Sequence, residues 1–71
     1  MGKLLTPREL EVLNLAKLGY SNKQIALMFG ISDQTIKNHF MAIYDKLGVL
    51  NRAQAVYVSL RDGLIDFNEE E

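Results

Sequence analysis

Apolar residues recur at Ile36, Phe40, Ile43 and Leu47, with spacings of four, three and four. That is the stripe one face of an α-helix lays against a core, and in a small domain it reads as core rather than as the lining of a ligand pocket. Gln34, Lys37, Asn38, Met41 and Asp45 fall on the opposite face. Boundary signals divide the rest of the chain. Thr6-Pro7-Arg8-Glu9 offers an N-cap, a proline at the first helical position and a glutamate able to close a capping box; Leu5 and Leu10 are spaced for a hydrophobic staple. Ser21 with Gln24, Ser32, and Asn51 with Gln54 supply three further starts, and Gly19, Gly30, Gly48 and Gly63 supply the stops. These signals predict helices over about 7–18, 22–29, 33–47 and 52–62, within a domain spanning 1–65. No strand alternation, internal repeat or low-complexity tract interrupts them, so the expected fold class is all-α.

The two middle helices are joined by Gly30-Ile31-Ser32 alone. Ala26 stands where the second of the pair would cross the first, and its small side chain lets the backbones approach. Gly30 falls where the first must stop, a place that favours a left-handed residue. Ile36 then faces back into the angle between them. Together these offsets match a four-helix helix-turn-helix domain with the third helix as recognition helix. The plainer alternative is a helical hairpin within a small bundle.

Length and composition keep the reading to one small globular domain of 71 residues. A chain of this size buries only about 60% of its unfolded surface, which leaves room for stabilisation by a partner. Cysteine is absent, so a disulfide framework and a thiolate metal site are excluded and a reducing cytoplasm is the expected compartment. Apolar runs are too short to span a membrane, and no signal peptide is recognisable. The net charge of −1 conceals an asymmetry. All eight basic residues lie within 1–61, against Glu9, Glu11, Asp33 and Asp45, which makes that part +4. Asp62, Asp66, Glu69, Glu70 and Glu71 make the last ten residues −5, and residues 66–71 are expected to be a mobile, solvated acidic tail.

A basic helix-turn-helix domain points to double-stranded DNA. Gln34, Lys37, Asn38 and Met41 occupy the N-terminal half of the third helix, the part a recognition helix presents to base edges. Asn and Gln pair with adenine, Lys donates to guanine, and a methionine can touch a thymine methyl. Phosphate contacts are expected to flank them. Ser21, Asn22 and Lys23 open the second helix, where free amides and the helix dipole favour an anion; Thr35 lies in the first turn of the third, and Lys46 and Arg52 lie beyond its middle. The competing reading of these polar positions is an ordinary solvated surface.

Catalysis has little to stand on. The one histidine, His39, lies beside the apolar stripe and reads as a packed structural residue. No nucleophile-base pair and no glycine-rich phosphate loop is present, so no enzyme activity and no cofactor or metal is expected.

The segments LTPRELEVL, SNKQIA, ISDQTIKNH, KLGV and NRAQAV, with Gly19 between the first two, resemble in order and spacing the LuxR-type helix-turn-helix domain, also called GerE-type or NarL/FixJ-type. The resemblance covers Leu5 to about Ile65. It implies the DNA-binding output domain of a bacterial transcription regulator, with base reading at Gln34, Lys37, Asn38 and Met41. It also implies backbone contacts around the start of the second helix, Thr35, Lys46 and Arg52. In the family the fourth helix commonly pairs two domains on a two-fold DNA site, which makes Ala53, Val56, Tyr57 and Leu60 the candidates for a homodimer contact. Two positions depart from the pattern: Gln34 is often Lys or Arg in the family, and Met41 is often small or polar. The family usually appends this domain to a receiver or ligand-binding domain, so the chain is expected to be a short stand-alone regulator or part of a longer one. A module resembling sigma-factor region four, docking on RNA polymerase, is the competing class; the KLGV and NRAQAV segments argue against it.

Overall fold

The computed structural model describes residues 4–67. Their chain forms α1 (Pro7–Lys17), α2 (Asn22–Phe29), α3 (Asp33–Leu47) and α4 (Arg52–Arg61), with no strand among the described residues. The expected boundaries hold to within a residue. α1 stops at Lys17 because its end tightens: the Leu18 amide donates to the Leu15 carbonyl and the Gly19 amide to Ala16, bonds three residues apart rather than four.

Helix starts follow the caps. Thr6 and Glu9 form a closed box, each side chain accepting from the other's amide, and Ser21 with Gln24 repeats it. Ser32 caps α3 by accepting from the Thr35 amide, and the two hydroxyls lie 3.0 Å apart. Asn51 caps α4, but Gln54 does not reciprocate as a capping box would. Its Oε1 accepts from the Leu50 amide at 2.7 Å instead. The physical reason lies in the backbone: Asn51 is fully extended at φ −155°, whereas Thr6 and Ser21 lie near −75° and −77°.

The stripe on α3 becomes the centre of the molecule. Ile36, Phe40 and Ile43 are buried with Val12, Leu13 and Ala16 of α1, Ile25 and Ala26 of α2, and Ala55 of α4. Leu47, the last position of the stripe, is partly buried against that cluster, as are Leu5 and Leu10. α3 packs against each of the other three helices, and α1 also against α4. Ile65, beyond the last helix, completes the core; the Leu64 and Ile65 amides both donate to the Ser59 carbonyl and fold that segment back.

Of the acidic tail, Asp66 and Phe67 are exposed, and the Asp66 carbonyl accepts from Lys17 Nζ. The rest of the tail lies outside the described residues. Among those residues no helix is long and apolar enough to cross a membrane, and no cluster of His, Asp and Glu is arranged to hold a metal.

Candidate nucleic-acid interface

The turn between α2 and α3 sets the direction of the exposed face. Gly30 adopts φ 69°, ψ 33°, the left-handed conformation that L side chains disfavour, and the next amide, of Ile31, donates back to the Ala26 carbonyl at 3.0 Å. Ala26 is buried between the two helices, and Ile36 is wholly buried one turn into α3. With that side of α3 pinned, its opposite side must face outward.

Gln34, Lys37, Asn38 and Met41 are all exposed on that outer side. Met41 is 65% exposed, an apolar tip in a polar field. Gln34 Nε2 donates to Asn38 Oδ1 at 3.0 Å. The Lys37 ammonium makes no ion pair among the described residues, so its charge is available to a ligand. Four side chains expected from the sequence to act together are thus brought onto one surface.

The flanking positions divide into two groups. Ser21 accepts from the Gln24 amide as the cap of α2, and Thr35 pairs with Ser32 at the start of α3; both stand at helix N-termini, where the dipole favours an anion. Lys23 is exposed in the first turn of α2. Arg52, by contrast, is a tie within the fold. Its Nη1 donates to Asn22 Oδ1 at 2.8 Å, its Nη2 donates to the Tyr20 carbonyl, and its guanidinium lies 4.7 Å from the centre of the Phe40 ring. Lys46 is also engaged, with Nζ 2.8 Å from Glu9 Oε1. Burial alone would raise the Glu9 carboxyl, but the Lys46 hydrogen bond, the Thr6 bonds and the lysine charge outweigh it and hold it below the ordinary range. The Tyr44 phenol is shifted up by burial, against the opposing charge of Arg52.

Lys46 and Arg52 are recognisable in the sequence as rim charges, but the partners they hold are not. Glu9 stands 37 positions from Lys46, and Tyr20 stands 32 from Arg52. The one signal that bore on either was that Glu9 is a carboxylate in a helix start, where it closes a box; nothing local marks the second bond.

α4 presents a different surface. Ala53, Val56, Tyr57 and Leu60, with Ala16 and Arg52, line an open, mainly apolar groove of about 580 Å³. Ala53 and Tyr57 are exposed, whereas Val56 and Leu60 are partly buried. The four positions named from the resemblance therefore share one face, with Tyr57 63% exposed at its surface.

Comparisons with known proteins match the chain and its four-helix fold. The family model described as bacterial regulatory proteins, luxR family, matches residues 3–59. The chain is 45% identical over 62 residues to the transcriptional regulatory protein DegU of Brevibacillus brevis, covering 87% of this chain and 26% of that protein. It is 54% identical over 52 residues to the probable transcriptional regulatory protein SgaR of Hyphomicrobium methylovorum, covering 73% and 25%. The chain thus spans about a quarter of the length of these curated relatives. Among solved structures, the transcription factor GerE superposes with a TM-score of 0.86 at 39% identity, covering 93% of this chain and 98% of that one. A Vibrio cholera VqmA-ligand-DNA complex superposes at 0.79 with 35% identity, covering 89% and 27%.

Proposed function

This chain belongs to the luxR family of bacterial regulatory proteins as a helix-turn-helix DNA-binding domain, and from that premise we propose that it binds a specific double-stranded DNA sequence with α3 in the major groove. The observation that carries the reading is the outward face of Gln34, Lys37, Asn38 and Met41, on a helix whose other side is locked into the core. A rigid helix with its polar N-terminal half exposed is what base readout in a groove needs.

Ser21, Asn22, Lys23 and Thr35 are the backbone contacts of this reading, with Lys23 supplying charge and the two helix starts supplying amides. Lys46 and Arg52 lie at the same rim and act chiefly by holding α1, α2 and α4 to α3 while adding positive potential near the phosphates. Two copies bind a two-fold site through the α4 groove, since an apolar face on a small domain favours self-association on DNA. The cytoplasm is the compartment in which such a regulator would work.

The test is duplex binding over a range of salt, joined to selection of bound duplexes from a random pool. Sequence-selective binding that weakens steeply with salt, in proportion to the phosphates neutralised, is expected. A chain that fails to bind duplex even at low salt would instead be an interaction module, and the DNA reading would fall.

A further inference from the structure

The hydrogen bond between Gln34 and Asn38 sits on the exposed face of α3, one helical turn apart, with Gln34 as donor and Asn38 as acceptor. A carboxamide is planar, with its carbonyl on one side and its two N–H donors on the other. Holding Asn38 Oδ1 toward Gln34 therefore turns Asn38 Nδ2 away from Gln34. No other hydrogen bond among the described residues engages either amide. The Thr35 hydroxyl, in the first turn of α3, is paired with Ser32. Lys37 and Met41, the other two members of the face, offer no strong acceptor that would draw Asn38 the other way.

We propose that Gln34 is a positioning residue that sets the sequence preference of Asn38 by fixing which end of its amide faces the groove. This rests on α3 reading DNA. A free asparagine reads adenine with both ends of its amide, accepting from N6 and donating to N7. With one side of its carbonyl already occupied, Asn38 presents donors, and it selects an edge rich in acceptors, such as guanine N7 and O6. The two amides then work as one unit rather than as two independent contacts.

The test uses the intact chain and a random duplex pool. The base pair read by Asn38 is the one whose preference is lost in Asn38→Ala. Gln34→Glu puts two acceptors beside Asn38, which turns the Asn38 amide over so that Nδ2 donates to the new carboxylate and Oδ1 faces outward. A glutamate in the first turn of a helix is also favourable to the helix dipole, so folding is retained. The expected result is a change at that one base pair from guanine toward a base with an exposed amino group, adenine or cytosine. In direct binding to the selected duplex, Gln34→Ala and Asn38→Ala each lower affinity by about tenfold. The double variant loses about the same, rather than the roughly hundredfold of independent contacts. An unchanged preference in Gln34→Glu, or fully multiplicative losses, overturns the coupling while leaving the DNA reading in place. A chain that selects no sequence at all overturns both.

Discussion

Lys46 Nζ lies 2.8 Å from Glu9 Oε1, an ion pair that joins the last turn of α3 to the first turn of α1. The two side chains are only 21% and 7% exposed, and the same carboxylate closes the cap of α1 through the Thr6 amide. One group thus starts a helix and fixes where α3 lies against it.

Removing the lysine leaves a mostly buried carboxylate without its charge partner. Lys46→Ala is therefore expected to lower the free energy of unfolding by about 2 kcal/mol, below the range for a fully buried pair because Lys46 keeps some contact with water. Urea denaturation at neutral pH checks this. A midpoint unchanged from the original protein would show that the pair adds nothing.

The Glu9 carboxyl titrates below its ordinary value of 4.5 in the folded chain. A group depressed in this way contributes stability that is fully present above its unfolded pKa and is lost as pH falls through its folded one. The chain should lose stability on acidification below about pH 4.5, and Glu9→Gln should be less stable near neutrality with a shallower acid slope. Denaturation midpoints measured at stepped pH for both proteins decide it; parallel curves would remove Glu9 as the cause.

Arg52 reaches Asn22, Tyr20 and Phe40 at once, which needs a planar fork. Arg52→Lys keeps the charge and loses the fork. A loss of about 1–2 kcal/mol in stability is expected, from hydrogen bonds that a point charge cannot replace. Full stability in the lysine variant, with duplex affinity retained, would mean that only the charge matters.

Gly30→Ala isolates the turn. A Cβ at Gly30 meets nothing within 4 Å, so its cost comes from the left-handed backbone alone, about 1–2 kcal/mol. Thermal unfolding should show the loss with the fold intact by circular dichroism. An alanine variant as stable as the original would contradict the conformational argument for this glycine.

Tyr57 tests the pairing of two chains. It stands 63% exposed beside Val56 and Leu60 on the α4 groove. Tyr57→Glu puts a charge into an apolar contact and should abolish two-to-one binding on a two-fold site while sparing a single half-site. Sedimentation of each complex reads the stoichiometry, and an intact two-to-one complex would place the contact elsewhere.

The local elements of this molecule were legible in the chain because their causes are local. Caps at Thr6, Ser21, Ser32 and Asn51, left-handed stops at Gly30 and Gly48, and the stripe of Ile36, Phe40 and Ile43 each act within a few residues. They determine four helices, the buried side of α3, and hence the outward side with Gln34, Lys37, Asn38 and Met41. What tertiary structure decided is the fate of the rim charges and of the side-chain bonds. Glu9 with Lys46, and Arg52 with Tyr20 and Asn22, are separated by 30 residues or more, and only the packing of helices puts them within reach. Gln54 turned to Leu50, and Gln34 to Asn38, among partners that spacing alone leaves equivalent. A charged side chain in a sequence is equally suited to solvent, phosphate or a buried carboxylate; the dielectric and the neighbours that choose between them exist only once the chain has folded.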